Sequence, residues 1–518
     1  MIRRVDVCVY GGTPAGCAAA VAARQEGASV VLVEPNRWLG GILGAGIKPQ
    51  QDCAMPEAVG GLTRRKVFGF GNTPPEIRTS FADWIRDEGI PVVLEHRVAA
   101  VQRQDGRIAS VRFGGAPLDR WGVPAATFVD GSSVDIEARF FVDASYEGDL
   151  MAASGVSYRT GRESADEYKE EPAGVREPTN WTPIDPYVEP GRPESGLIPM
   201  IDTDHGKPIG AGDDYTQAYN FRFYLTTDPR RAVPLTPPPG YRASHYELVG
   251  RYAEYIMGTD DGTALERLSG IFPGWLQNGG EYNYLRESLV TNAPLGVSRH
   301  YQDGGWATRS AIWRMHIDYL RGLHHFLSTD PRIPADFREQ TAALGLDRTM
   351  HPETEGWPNQ LYVRVARRMH GRYTLTHDDV LNRTAVEDGV GLALYGVDTY
   401  PARRYACPRP GSSEVGVATE GNMFIGGEIG TGRPFDVPYR AITPWASDCL
   451  NLLVPVSLSA THIAYAAIRM EPTFCILGES AGVAAALAVQ QASSVQDVNI
   501  DTLRSRLSDR GQILQCTT

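Results

Sequence analysis

Near the start of the chain, Gly11-Gly12-Thr13-Pro14-Ala15-Gly16 is a turn that could bring backbone close enough to touch a pyrophosphate. Glycine has no Cβ to block that approach. A helix starting here would offer unpaired N–H groups and a favourable dipole. Gly11 and Gly16 fill the first and third glycine positions of G-x-G-x-x-G. Thr13 stands at the second, where its hydroxyl and backbone N–H can still donate to phosphate but its side chain takes up space. Glu34, about twenty residues on, can accept from both hydroxyls of a ribose and would repel a 2′-phosphate. Far down the chain, His462 and Arg469 precede a helix of small residues. Histidine ionises near neutrality and can act as a base, and arginine can hold or polarise an oxygen. Tyr465, Arg364, Asp398 and Tyr400 complete the candidate set, Tyr400 as a catalytic phenol. Each also has a structural role open to it. His462 can fix the loop as a core histidine, Arg469 can pair with Glu471 or another acid, and Tyr400 can serve as packing.

These residues need elements to hold them. Residues 5–10 (VDVCVY) read as a strand and 11–16 as the turn. Residues 17–26 (CAAAVAARQE) read as an Ala-rich helix ended by Gly27, and 29–33 (SVVLV) as a second buried strand. Strand, glycine turn, helix and strand ending in an acid make a βαβ unit. Residues 76–89 form an amphipathic helix. Strands over 91–102 and 108–113 are joined by Asp105-Gly106, a hairpin signal. A strand over 140–142 runs into Asp143-Ala144-Ser145. Residues 306–327 read as a long amphipathic helix and 359–370 as a strand or element edge. Residues 471–491 read as a helix whose Gly478, Ala481 and Gly482 form a small face able to pack on a ring or a backbone. From about 165 to 245 proline and charge dominate, as in loops that cover or line a site.

At 518 residues, the chain exceeds one ordinary domain of about 150 residues, so two or three are expected. It is 42% hydrophobic and 22% charged, which suffices for a sizeable core. A net charge of −12 repels a phosphate backbone, so no nucleic-acid partner is expected. No run of about 18 apolar residues appears, and no membrane span is expected. The N-terminus runs directly into a strand without a signal-peptide pattern, which points to a cytoplasmic enzyme. Cys8, Cys17, Cys53, Cys407, Cys449, Cys475 and Cys516 are scattered without a C-x-x-C pair. They support neither a disulfide framework nor a metal site.

After Glu34 the chain reads Pro35-Asn36-Arg37-Trp38-Leu39-Gly40-Gly41. A glycine pair here lets the chain pass close to an extended pyrophosphate and flavin, a feature of FAD domains rather than ordinary NAD dehydrogenases. Further segments are DASYEGDL at 143–150, QAYNFR at 217–222, WPNQLYVR at 357–364 and RMEP at 469–472, the last closing an apolar stretch that begins at 452. With these and GGTPAG, nearly the whole chain resembles the FAD-dependent oxidoreductases. The resemblance implies an α/β fold: a glutathione-reductase-type FAD-binding Rossmann domain with a discontinuous α+β substrate domain. The FAD domain would comprise 1–50, 85–165 and 440–518, with 165–440 as substrate or cap domain. FAD would be held by Gly11, Gly12, Thr13, Pro14, Ala15, Gly16, Glu34, Pro35, Gly40 and Gly41. Val98 would touch the adenine through its backbone, and Asp143, Ala144, Ser145 and Gly148 would bring the chain back to the cofactor. The segment from Arg469 through Met470 to Gly478 and Gly482 would aim a helix N-terminus at the flavin pyrimidine. Val365, Asp398-Thr399-Tyr400 and Lys48–Asp52 depart from the family pattern, so substrate identity does not transfer.

Among flavin chemistries, a disulfide reductase needs a redox cysteine pair and a second nucleotide turn. Residues 426–432 (GGEIGTG) lead into Arg433-Pro434-Phe435-Asp436 and read as a loop. An aromatic hydroxylase would show G-D-x-x-H where residues 455–462 read PVSLSATH. The expectation is therefore a dehydrogenase or oxidase passing hydride from a small organic substrate to flavin N5, with oxygen or another acceptor taking the electrons. A flavin-dependent monooxygenase and a flavin-binding protein without turnover are the alternatives. A homo-oligomer is compatible with the sequence.

Overall fold

The computed structural model describes residues 2–259, 262–272, 281–282, 286, 288–425 and 433–515. The N-terminal unit is β1 (Ile2–Tyr10), α1 (Pro14–Gln25) and β2 (Val30–Glu34). The two strands are parallel, with Val7 opposite Val30 and Tyr10 opposite Val33. Val7 to Tyr10 are buried on both faces, as expected of a parallel strand covered by helices. With β3 (Val92–Leu94), β4 (His96–Gln104), β5 (Arg107–Gly115) and β6 (Val134–Asp143), the sheet order is β3-β2-β1-β6-β5-β4. The strand Leu452–Leu453 joins the C-terminal end of β6 in parallel, Leu452 opposite Phe141.

The expected strand over 91–102 is two strands. Glu95 between them takes a left-handed φ of 56°. Its carboxylate accepts from Arg37 Nη2 at 2.8 Å and from the Leu118 N–H at 3.0 Å. The chain pivots there: β3 extends the parallel sheet and β4 turns back to pair with β5. Asp105 and Gly106 close that hairpin with φ of 49° and 73°, the left-handed pair that a tight two-residue turn requires.

The helix Glu471–Gln491 lies on α1, and 94% of its most apolar window is buried. By length and composition it could cross a membrane, but here it is a core helix between α1 and the sheet. The helix Trp306–Thr329 buries Arg309, Trp313, His316, Leu320 and Leu323, a stripe at helical spacing. A second, four-stranded sheet runs Ala232–Pro234, Gly345–Asp347, Phe223–Thr226 and Glu281–Tyr282. Residues 359–370 are not a strand. They form one isolated bridge, Tyr362 to Asn220, and the two-residue strand Arg368–Met369, which pairs with Tyr158–Arg159. Residues 426–432, read as a loop from sequence, lie outside the described residues, as does Cys516.

Candidate active site

At Gly11 and Gly16 the nearest obstruction to a Cβ is backbone, and at Gly12 it is the Leu39 and Glu34 side chains. Gly11 has φ +98°, and a Cβ on it would sit 2.6 Å from the Ser145 nitrogen. A Cβ on Gly16 would lie 1.7 Å from the Gly11 carbonyl oxygen, so the turn closes only with glycine. Thr13 caps α1: its hydroxyl accepts from the Gly16 N–H at 3.2 Å and donates to the Ala144 carbonyl at 2.8 Å. That corrects the expected phosphate contact of the hydroxyl, because its hydrogen is spent tying the turn to the end of β6. Pro14 and Ala15 form the first turn of α1.

Glu34 ends β2 and is 7% exposed. One carboxylate oxygen accepts from the Asn36 N–H at 2.6 Å, and the other accepts from the Gly12 N–H. Burial pushes its carboxyl up to about 8 despite those two donors. Gly40 and Gly41 follow, both with positive φ, and the Gly40 N–H donates to the Gly12 carbonyl at 2.7 Å. The Asp143 carboxylate faces inward, accepting from Ser145 N and Oγ and from the Met151 N–H at 2.6–3.0 Å. Burial raises it to about 6. Its role here is to shape the turn that carries Ala144, Ser145 and Gly148, which takes φ +64°.

Gly11, Thr13, Glu34, Pro35, Gly41 and Ser145 share the wall of one small cavity of about 30 Å³. Asn36, Tyr146, Glu147, Trp306, Trp313 and Gln360 also line it and were not singled out from sequence. Tyr146 and Glu147 stand inside the DASYEGDL segment and could have been included. The two tryptophans carry no local signal, since a helix almost 300 residues away delivers them. Val98 is half-buried in β4 opposite Phe113 and is not part of this wall.

The C-terminal candidates divide. Gly478 and Gly482 face α1: a Cβ on Gly478 would lie 2.1 Å from the Ala15 carbonyl oxygen, and one on Gly482 2.2 Å from that of Ala19. They are a helix crossing, which corrects their expected place against the cofactor. Met470 is the buried N-cap residue of the same helix. Arg469 pairs not with Glu471 but with another acid, Asp398, whose carboxylate lies 3.7 Å from Nη2. Its Nη1 donates to Tyr362 Oη at 3.1 Å and its Nη2 to the Asp398 carbonyl at 2.8 Å. Glu471 accepts instead from Tyr146 Oη at 2.7 Å, and burial lifts it to about 8.

His462 starts the helix His462–Ile468, and its backbone N–H donates to the Glu163 carboxylate at 2.9 Å. Burial, then the charges of Arg368, Arg162 and Arg469, hold the imidazole well below its usual range. In these surroundings the neutral ring is favoured, and a base at this position would take up a proton against burial and three nearby positive charges. Tyr465 donates to the Val456 carbonyl at 3.1 Å and is buried. Tyr400 lies with the arginines: the Arg364 guanidinium stacks 3.8 Å from its ring centre, and that of Arg469 stands 5.9 Å away. The charge of Asp52 acts on both Arg469 and Tyr362, which sets the Lys48–Asp52 segment near this cluster.

A glycine turn closed against backbone and a buried acid beside it are the local features by which a dinucleotide's diphosphate and ribose are held. The family model of the FAD dependent oxidoreductases matches residues 6–507. A search of curated proteins found no match. Among solved structures, a myxobacterial chondrochloren halogenase is 21% identical, with a TM-score of 0.22, over 31% of this chain and 41% of its own. L-proline dehydrogenase from P. horikoshii is 22% identical, with a TM-score of 0.19, over 32% and 26%. A 3-ketosteroid dehydrogenase from Rhodococcus jostii RHA1 is 16% identical, with a TM-score of 0.19, over 29% and 48%. The match spans less than half of each of these three proteins, and such scores carry no argument about the reaction. The family match spans almost the full chain: this protein belongs to the FAD dependent oxidoreductases.

Proposed function

We propose that the protein is an FAD-dependent dehydrogenase or oxidase, built as a glutathione-reductase-type FAD domain (1–50, 85–165, 440–518) with a substrate domain over 165–440. The observation that carries this is the meeting of three distant stretches at one buried cluster: Arg469 from RMEP, Tyr362 from WPNQLYVR, and Asp398 with Tyr400. The cysteines favour it over a disulfide reductase. Those among the described residues are free, and burial pushes the Cys8, Cys17 and Cys475 thiols up, away from a reactive thiolate.

FAD, when bound, supplies a two-electron acceptor for a hydride. The Gly11–Gly16 turn and Glu34 would hold its diphosphate and ribose. Arg469 would hold a substrate oxygen, and the Tyr400 hydroxyl would take the substrate proton in place of His462. Anaerobic mixing with sugars, cyclitols, hydroxy acids and aromatic alcohols should find a substrate that bleaches the flavin, and reoxidation by oxygen or a dye then separates oxidase from dehydrogenase. Bleaching that required a reduced nicotinamide would mean a monooxygenase. With that substrate, Tyr400→Phe should keep FAD and slow flavin reduction by about 10²–10⁴-fold, measured by stopped flow. His462→Ala should slow it far less, and the reverse order would return the base to His462.

Glu34 gives a second test. Without FAD its carboxyl holds a proton up to about pH 8. Ribose hydroxyls donate to the ionised form and lower its pKa, so FAD binding should release a proton. Affinity should rise by up to about tenfold per pH unit as pH approaches 8 and level off above it. Calorimetry in buffers of different ionisation enthalpy counts the proton. Glu34→Gln should abolish the pH dependence, and a count of zero in the native protein would remove Glu34 from the ribose site.

A further inference from the structure

A pocket of about 200 Å³ lies where residues 168–172 meet the short helix His377–Val380. Liquid water takes about 30 Å³ per molecule, so there is room for a small organic molecule. The pocket shares no lining residue with the cavity beside the glycine turn. Glu170 stands in its wall and is 3% exposed. One carboxylate oxygen of Glu170 is used twice, accepting from the His377 N–H at 2.6 Å and from Thr461 Oγ1 at 2.8 Å. The other, Oε2, is buried with no hydrogen-bond partner among the described residues. His377 Nε2, in the same wall, is buried and without a partner as well, so the two atoms are not bonded to each other.

A buried carboxylate oxygen without a donor is costly, and a native structure keeps one where a ligand completes it. The charges around the pocket say what kind of ligand. Asp378 accepts from Arg383 Nη1 at 3.1 Å, and Glu171 lies 3.5 Å from Arg176. Deeper in, Arg368 donates to Glu163 at 2.5 Å. Lys169 is exposed, and no ion pair joins it to Glu170 Oε2. Glu170 is thus the carboxylate left without a counter-charge, and burial above all raises it to about 7. Burial and the charge of Arg383 hold the His377 imidazole below its usual range, so the ring is neutral and does not repel a cation. Among the described residues no group of three His, Cys, Asp or Glu side chains could hold a metal ion. The missing partner is therefore a cation with N–H groups. Pro172 and Leu381 add apolar wall for a short alkyl stem.

We propose that this pocket is a second ligand site, for a small primary alkylammonium whose N–H groups donate to Glu170 Oε2 and His377 Nε2. It stands whichever reaction the flavin performs. Thr461, which donates to Glu170, also caps the helix His462–Ile468. A ligand drawing on Glu170 therefore acts on the start of the helix that leads to Arg469.

The test uses the full-length holoenzyme at pH 8, where Glu170 is ionised and an alkylammonium, like a lysine side chain with its pKa of about 10.4, keeps its proton. Propylammonium, tetramethylammonium, propanol and propionate are titrated in turn by calorimetry at matched ionic strength. Propylammonium should bind at least about tenfold more tightly than each of the others, the scale of charge-assisted hydrogen bonds. Tetramethylammonium has the charge without N–H groups and so separates hydrogen bonding from simple attraction. Glu170→Gln, which keeps the shape and can still accept from Thr461, should cut propylammonium affinity by at least about tenfold. His377→Phe should cut it by at least about threefold. It leaves the backbone N–H bond to Glu170 in place, so the conclusion does not hang on one variant folding. Lys169→Met removes a like charge and should tighten binding. Flavin absorbance of each variant should match the native protein, which separates a lost site from a lost fold. Equal binding of propylammonium and either propanol or tetramethylammonium would overturn the site. So would tighter binding of propionate, weaker binding in Lys169→Met, or unchanged affinity in both Glu170→Gln and His377→Phe. No binding of any probe would mean that the pocket holds water only, and would overturn it too.

Discussion

Gly11→Val should yield a protein that folds but stays colourless. The new side chain would meet main chain, with its Cβ 2.6 Å from the Ser145 nitrogen and 2.7 Å from the Ala144 carbonyl carbon. Backbone cannot rotate aside as a side chain can. Gly11 is also pinned by its N–H, which donates to the Val33 carbonyl at 2.8 Å. Its φ of +98° would be strained for a β-branched residue at a cost of about 1–3 kcal/mol. Relieving the clash must move β6 away from the start of α1 and widen the cradle. FAD affinity should fall by more than about 100-fold, equivalent to roughly 2.7 kcal/mol. Gly69→Ala is the control, because a Cβ there meets nothing within 4 Å. Absorbance in the flavin bands and circular dichroism on the same samples give the result. A stoichiometrically yellow Gly11→Val protein would move the pyrophosphate away from this turn.

Gly478→Val should do its damage to the fold itself. The added Cβ falls 2.1 Å from the Ala15 carbonyl oxygen, at the tightest point between α1 and the helix Glu471–Gln491. Gly482 repeats the contact one turn later on Ala19, so neither helix can tilt to escape. Forcing extra atoms into a packed core costs about 1–3 kcal/mol, and a clash with backbone belongs at or above the top of that range. Soluble yield should drop sharply, and the denaturation midpoint should fall by at least about 3 kcal/mol equivalent. Bound flavin should be lost with it, since α1 carries the turn. An unchanged midpoint would mean that the crossing is looser than drawn.

The parts of the fold readable from sequence were those where neighbours in sequence are neighbours in space. β1, the glycine turn, α1 and β2 emerge from a window of about thirty residues because the apolar runs, the turn and the terminal acid are all local. Glu95 was not readable, because its left-handed backbone is held by Arg37 and Leu118, which no strand pattern reveals. The small face of Gly478 and Gly482 was legible as a close-packing surface. Its partner was not, since a smooth helix face fits a ring and a helix equally well. For His462 the sequence offers only the ordinary behaviour of histidine; burial, then the charges of Arg368 and Arg162 from distant stretches, hold the imidazole well below that range. Residues 359–370 alternate like a strand, but Tyr362 and Arg364 are taken up by the arginine cluster, and the backbone makes one isolated bridge and the short Arg368–Met369 pairing.

The pairing of α1 with residues 471–491 also bears on how the chain is made. Gly16, Ala19 and Ala20 are buried in the finished protein, and much of what covers α1 is synthesised about 450 residues after it. Leu452–Leu453, which completes the C-terminal edge of β6, is equally late. At about 5–20 residues per second, the nucleotide-binding end therefore waits tens of seconds for its covering helix. Through that interval an apolar helix and an open strand edge are exposed to solvent and to other nascent chains. Capture of the flavin at this turn is therefore expected to follow synthesis of residues 471–491, and the vulnerable species in the cell is the chain that has not yet reached them.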